Sequence, residues 1–471
     1  MCRHAMQRDA APTLACQRCG IHYGYVVLVV ATLGKIMSAP GQSPCIGVVI
    51  DCIMGSLALS RSTTSGLYLV ATVASAATLP RLGQIVDRVG VRKFVTLTAL
   101  LLGVACWLMA VVPNAALLLL CFYLLRLLGQ GAIFLVSVTA INLWWVKRRG
   151  LMMGIAGAAA TTGISALVPV LLQHGLAAIG WRQTYFVLGA VSAFGMAPLG
   201  WAFFREAPEC YGMLPDGLRR APLVEDDGTT KATSGKQLDE PEWTRAEAIR
   251  TPAFWSMSLG SLSIALTGTA FWFHLSTVIS DSLGDESVVP LNVTANATSC
   301  GASAPPPEIM ASVYTVLAFS SVIARIVSGY VIDRIAPRFV LAFSLAQQAV
   351  ALFLMPRVGT AGAILVVCTI QGASQAVFSS VGNVVYANFF GRAHLGSIQG
   401  VGKALVVLGS ALGPFPFGLC RDLSGSFDAA FDASAGVSLF FMVVALRYGV
   451  APTKPSAAVA ELERPADAET T

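Results

Sequence analysis

The sequence predicts an all-α membrane protein of twelve spanning helices arranged as two related six-helix halves. Three observations carry this expectation: a composition suited to lipid, twelve nearly charge-free apolar runs, and an internal repeat at a single offset. Of the 471 residues, 55% are hydrophobic and 12% charged, with a mean hydropathy of +0.70, whereas soluble domains carry about a quarter charged residues. The 44 glycines fit bilayer helices, where small residues let backbones approach closely. The net charge of +6 gathers at the ends of apolar runs rather than in one patch, which argues for topology signals and against a nucleic-acid partner.

A hydrocarbon core about 30 Å thick needs roughly 20 apolar residues per helix. The runs that meet this are Gly24 to Ile50, Thr64 to Pro80, Phe94 to Val112, Ala115 to Leu143, Leu151 to Leu172, Tyr185 to Phe204, Ala253 to Val278, Met310 to Ile332, Phe339 to Met355, Ala361 to Phe390, Ser397 to Leu419 and Ala435 to Val450. Met1 to Gly20 is polar, carries Arg3, Arg8 and Arg18 and lacks an apolar h-region, so helix 1 itself is expected to direct insertion.

With a cytoplasmic N-terminus, the inside loops hold Arg81, Arg88, Arg92, Lys93, Lys147, Arg148, Arg149, Arg334, Arg338 and Arg392. The outside loops then hold Arg61, Arg182, Arg357 and Arg421, an asymmetry that obeys the positive-inside rule. The same orientation exposes the glycosylation patterns at Asn292 and Asn296, between helices 7 and 8, to the outside of the plasma membrane. Residues 1–22 form an N-terminal tail, 23–204 the first half, 205–250 a cytoplasmic linker, 251–451 the second half and 452–471 a disordered cytoplasmic tail. Thr244 and Glu247 fit a capping box that opens a short helix through Ile249, leading into helix 7.

One gapless offset of 246 positions relates the halves. It places Gly83, Asp87, Arg88 and Arg92, in the loop after helix 2, on Gly329, Asp333, Arg334 and Arg338, in and before the loop after helix 8. It also places Asn142, Gly150, Gly154 and Gly163 on Asn388, Gly396, Gly400 and Gly409. Parallel six-helix repeats suit transporters that rock one half against the other around a site near the bilayer midplane. Such a loop sets the turn with its glycines, can hold an opposing helix end with its Asp, and fixes the cytoplasmic side with its basic residues.

The run Gly83-Gln-Ile-Val-Asp87-Arg88-Val-Gly90-Val-Arg92-Lys93 resembles the signature loop of the major facilitator superfamily, and the resemblance covers nearly the whole chain. Tyr23-Gly-Tyr25, Gly150 after its basic triplet, Gly180-Trp-Arg182, Pro208 to Gly217, Thr251-Pro-Ala-Phe-Trp255, Gly396 and the run from Gly409 to Pro414 are similar to the oxalate/formate antiporter and monocarboxylate porter branch.

Charges inside bilayer helices cost a few kcal/mol each on insertion scales and mark function by default. Lys35, Arg126, Arg325 and Lys403 stand out. Arg325 lies eight positions before Asp333 and Lys403 seven past Gly396, about 12 and 10 Å from the same membrane face. Their counterparts under the offset are Leu79 and Gly157, so both break the repeat. An Arg fork and a Lys point charge facing one cavity suit a small carboxylate; the alternative is snorkelling to the interface. The resemblance agrees, since oxalate-type antiporters use an Arg in helix 8 and a Lys in helix 11 for the anion.

Arg126, in Arg126-Leu-Leu-Gly-Gln-Gly131, resembles the superfamily's helix 4 motif and is assigned to structure or coupling, as are Lys35 beside the Pro40-Gly41-Gln-Ser-Pro44 break and the paired loop residues. Gln42, Tyr68 and Tyr314 could offer neutral donors to the anion or pack helices. His274 is a proton carrier or part of an aromatic belt with Phe271, Trp272 and Phe273, and the belt is favoured.

Many monocarboxylate porters place an Asp one turn before the helix 8 Arg, where this chain has Ser321. That leans toward anion exchange or facilitated diffusion over proton symport, with a transporter-like metabolite sensor as the reading outside transport. Neither cofactor nor metal is expected: Cys2, His4, Cys16 and Cys19 are irregularly spaced for zinc. The chain lacks a Walker loop and an HExxH pattern, against a primary pump or protease.

Overall fold

The computed structural model describes residues 22–211, 213–217, 242–283 and 307–453. Asn292, Asn296, the N-terminal cysteines, most of the central linker and the tail from Lys454 lie outside the described residues. Every regular element among the described residues is a helix.

In the first half, α1 runs Gly24–Met37, passes a 3-10 turn at Ala39–Gly41 and resumes as Ser43–Leu57. Helices α2 and α3 are Arg61–Val89 and Val91–Ala110. Helix α4 joins Ala115–Leu125, a π-helical Arg126–Ile133 and Phe134–Trp144. Helix α5 starts as Arg149–Thr162, passes a π segment at Gly163–Leu167 and enters Val168–Ala190, which Gly180 divides with a φ of 79°. Helix α6 takes the remainder through π-helical Val191–Met196 to Ala197–Phe203.

The second half contains α7 (Pro252–Leu283), α8 (Pro307–Ile332), α9 (Pro337–Leu354), α10 (Ala361–Phe390), α11 (Leu395–Leu412, prolonged by Pro414–Ser424) and α12 (Asp428–Tyr448). Among the described residues ten stretches are long and apolar enough to cross a membrane, one of them the 55-residue Arg149–Phe203 that holds both α5 and α6. Helix α7, with 32 residues, completes twelve.

Two expectations change. Helix α2 does not stop at Pro80 but continues to Val89, since a bilayer helix tolerates the one backbone donor that proline removes. The signature residues Gly83, Asp87 and Arg88 are therefore the last turns of a helix rather than a loop. The turn itself belongs to Gly90, whose φ of 90° is open to glycine. The capping box forms as read, Thr244 and Glu247 satisfying each other's backbone, but its helix is a single turn, Arg245–Ala248.

Apolar contact alone cannot draw helices together in lipid, because acyl chains solvate leucine as well as a neighbouring helix does; close approach must. The offset carries α2 onto α8 and α5 onto α11, and the pairs α2·α11 and α5·α8 join the halves. Each pair closes on two glycines. A Cβ on Gly83 would strike the carbonyl of Gly396, and one on Gly150 the carbonyl of Gly329.

Candidate functional site

At the end of the molecule that carries the basic loops, the repeated aspartates tie each half to the other. Asp87 closes α2 and receives the Gly396 and Ser397 N–H groups at 2.8 and 2.7 Å, capping α11. Asp333 follows α8 and receives those of Gly150 and Leu151 at 2.6 and 3.0 Å, capping α5. A carboxylate at a helix N-terminus meets free N–H groups and the positive end of the helix dipole, worth roughly 0.3–1 kcal/mol and up to about 2 when partly buried. Burial lifts the Asp333 carboxyl above the ordinary carboxylate range, against the pull of these two N–H groups.

The arginines of the repeat serve differently. Arg92 donates to the Trp201 carbonyl at 2.6 Å in its own half, Arg334 packs on Tyr330, Arg338 on Phe339, and Arg88 is exposed.

Further bonds cross the same interface. Asn142 donates to the Asn383 carbonyl at 2.8 Å, Thr139 to Gln399 Oε1 at 3.3 Å, and Arg149 to Asn388 Oδ1 at 2.6 Å. Arg392 donates to the Leu143 carbonyl and to Glu209, both at 2.7 Å. The Pro208 to Gly217 segment adds Asp216, held at a φ of 58°, whose carboxylate receives the N–H groups of Val146, Lys147 and Arg148 at 2.8–3.1 Å. Glu206 likewise caps α3 at Val91 and Arg92, although burial raises its carboxyl above the usual range.

Between the halves lies a cavity of about 560 Å³, its opening included, whose lining contains Lys403, Gln399, Asn383, Ser379 and Phe134. Lys403 Nζ stands 4.3 Å from the centre of the Phe134 ring. Arg325 is one hydroxyl behind the lining: its Nη1 donates to Ser379 Oγ at 2.7 Å, while its buried Nε finds no partner among the described residues. The same Nη1 lies 3.4 Å from where a Cβ would sit on Gly157, the repeat counterpart of Lys403. The two repeat-breaking cations thus converge on one cavity, and neither forms an ion pair among the described residues.

The other sequence candidates fall elsewhere. Arg126, 2% exposed, donates to the Gly41 carbonyl and Ser43 Oγ, both at 3.2 Å, and so closes the break in α1. Tyr68 belongs to that assembly, its ring beneath Arg126 and its hydroxyl 3.0 Å from Ser43 Oγ. Gln42 donates locally to Ser38 Oγ at 3.0 Å. Tyr314 stacks on Trp272 and is half-exposed. His274 bonds the Pro414 carbonyl at 3.1 Å among Phe273, Phe417 and Phe427. Lys35 is 1% exposed; its ammonium meets Met153 Sδ at 3.9 Å and lies 5.4 Å from the Phe134 ring centre.

Phe134, Ser379, Asn383 and Gln399 escaped the sequence reading. Of these Gln399, one turn before Lys403, and Asn383, amid the apolar run of α10, carried a signal in their polarity.

The Major Facilitator Superfamily model matches residues 27–304 and again 257–469. The chain is 24% identical to the uncharacterized MFS-type transporter YhjX of Escherichia coli over 81% of this chain and 82% of that one. Shorter matches join it to the probable sulfoacetate transporter SauU of Cupriavidus necator, at 32% identity over 27% of this chain and 29% of that protein, and to human monocarboxylate transporter 6, at 27% over 38% and 35%. The chain therefore spans about a third of each of these two relatives. The crystal structure of the human organic anion transporter MFSD10 shares the fold, with a TM-score of 0.66 at 14% identity, over 90% of this chain and 99% of that one.

Proposed function

The chain belongs to the Major Facilitator Superfamily, and from that premise we propose that it carries small organic anions, mono- or dicarboxylates, across a membrane by alternating access, through exchange or facilitated transport. The observation that carries this reading is Lys403 in the cavity wall with Arg325 one hydroxyl behind it. Neither has a carboxylate partner among the described residues, and a cation set in a bilayer helix without a counter-charge is costly until an anion supplies one. Names among the relatives support the class, sulfoacetate and monocarboxylates both being organic anions.

The paired caps of Asp87 and Asp333, with the Asn142 and Arg149 bonds, act as the inner gate in its closed state. Opening toward the basic-loop side, taken as cytoplasmic from the charge count, requires all of them to part. Arg126 serves as the brace of the α1 break and Lys35, beside Phe134, as a coupling group. The position one turn before Arg325 holds Ser321, whose hydroxyl donates to the Gly372 carbonyl at 2.9 Å. No carboxylate stands there to take a proton, which favours exchange over proton symport.

Uptake of labelled oxalate, formate, lactate and pyruvate into proteoliposomes, with and without an internal counter-anion or a pH gradient, tests the reading. Uptake accelerated by internal anion is expected. Binding without flux would make the protein a sensor, and uptake driven only by a pH gradient would make it a symporter.

A further inference from the structure

A second cavity lies within the first half and shares no lining residue with the one between the halves. It measures about 830 Å³, its opening included, against about 560 Å³ for the central one. Met37, Ala39 and Pro40, at the break of α1, form one wall; the stretches from Val168 to Ile179 of α5 and from Thr184 to Ser192 of α6 form the others. Each wall meets an irregular turn: the 3-10 turn Ala39–Gly41 in α1, the π segment Gly163–Leu167 just before Val168, and the π segment that begins at Val191. Such turns interrupt the ridges by which helices interlock, so a gap is left where the three adjoin.

The gap is apolar and open to lipid. Its two hydroxyls are turned into the protein, Thr184 donating to the Gly180 carbonyl at 2.8 Å and Ser192 to the Ala99 carbonyl at 2.9 Å, so water would find no side-chain partner there. The lining residues Leu171, Ile179, Val187 and Val191 are 44–60% exposed, within a stretch apolar enough to cross a membrane. From Val168 to Ile179 the lining follows α5 for about 16 Å, roughly the depth of one leaflet of a 30 Å hydrocarbon core. At its end Gly180 turns the chain, and Arg182 lies between the lining residues Ile179 and Thr184, at the membrane end opposite the basic loops. The Arg182 guanidinium covers the Trp181 ring and donates to the Val112 carbonyl at 3.3 Å, with no carboxylate partner among the described residues.

A groove one leaflet deep, with no side-chain hydroxyl left to satisfy and a cation at its end, fits hydrocarbon tethered to an anion. We propose that it holds one acyl chain of a glycerophospholipid, with the lipid phosphate at Arg182 and the chain end against the α1 break. The guanidinium fork suits a phosphate, and the chain restores dispersion contacts that the gap denies its lining. The chain also adds a second support to the break that Arg126 braces. The site is independent of which solute the protein carries.

The test uses the full-length protein in nanodiscs of dioleoylphosphatidylcholine and dioleoylphosphatidylglycerol that contain a trace of phosphatidylglycerol with a diazirine at the end of one chain. After illumination, adducts are mapped by peptide mass spectrometry on the groove, Ile36 to Pro40 and Val168 to Ile179, and on the exposed face of α12 at Val437, Phe440 and Val443. The groove should carry roughly fivefold more label per residue than α12, because a seated chain keeps its contacts while a bulk chain exchanges them. Leu171→Trp combined with Val187→Trp, which narrows the groove from two walls, should bring its label down to the α12 level. Arg182→Gln should remove most of the excess, the share of one basic residue at a phospholipid surface. Equal labelling of groove and α12 in the wild-type protein would overturn the proposal, as would a groove label that the two tryptophans leave unchanged. A free diazirine fatty acid that labels the groove as strongly as the phospholipid, or an Arg182→Gln variant with undiminished label, would overturn the phospholipid assignment. Should the tryptophan variant fail to insert, the wild-type distribution and Arg182→Gln decide.

Discussion

The two halves share one offset in sequence yet differ in what they contribute to the centre of the molecule. In the first half α1 is broken at Ala39–Gly41, and π segments interrupt α4, α5 and α6. In the second, α10 runs unbroken from Ala361 to Phe390. The irregular half uses the buried Arg126 on itself, closing the α1 break. The regular half aims Lys403 into the cavity and keeps Arg325 just behind it. A cation in a bilayer helix can satisfy backbone freed by a break, as Arg126 does, or stand at a cavity with no opposite charge beside it among the described residues, as Lys403 does. The choice between them shows in its partners, a carbonyl in one case and none of opposite charge in the other.

The largest test of this contrast sets Lys403→Gln and Arg325→Gln against Arg126→Gln. The first two are expected to abolish anion flux while inserting and folding normally; the third should reduce the yield of folded protein in detergent, because it strips the Gly41 carbonyl of its donor. Undiminished flux in both second-half variants would remove the assigned site, and a stable, well-expressed Arg126→Gln would erase the distinction between the halves.

Next comes the latch, where the halves are alike and should respond alike. Asp87→Asn removes charge from the α11 cap and Asp333→Asn from the α5 cap. Each should raise hydrogen exchange of the capped amides about tenfold, on the energy of a partly buried helix-end carboxylate. Because Asp216 also holds the approach to α5, Asp333→Asn should be the milder. Equal effects would show that Asp216 adds nothing to the latch.

A smaller effect is expected at Ser379, which anchors Arg325 at 2.7 Å. Ser379→Ala should raise KM for the transported anion roughly fivefold with little change in maximal rate, the size of one net hydrogen bond. A fall in rate at constant KM would move Ser379 from binding to gating. A further test concerns how α1 packs at and beyond its break. Gly41→Ala would drive a Cβ into the Leu125 carbonyl and should cost about 1–3 kcal/mol. Gly47→Ala meets nothing within 4 Å and should stabilise by roughly 0.5–1 kcal/mol. Thermal melting in detergent separates the two, and equal melting points would mean that the break in α1 is loosely packed.

The membrane class, the twelve helices and the relation between the halves were legible in the sequence, because bilayer thickness sets run length and a repeat needs no coordinates to be seen. The sequence also pointed to Asp87 and Asp333 as partners of an opposing helix end and to Arg325 and Lys403 as departures from symmetry. It took the fold to show that Asp87 is in the last turn of a helix continuing past Pro80, that Tyr68 serves Arg126, that Tyr314 stacks on Trp272 outside the cavity lining, and that the ammonium groups of Lys35 and Lys403 both lie within 5.4 Å of the Phe134 ring centre. The contacts among these depend on which helix face meets which, within a half for Tyr68 and Tyr314 and across the half boundary for Phe134. Close backbone contact at Gly83, Gly150, Gly329 and Gly396 sets that rotation, and apolar periodicity is silent about it where both neighbouring helix and lipid are apolar.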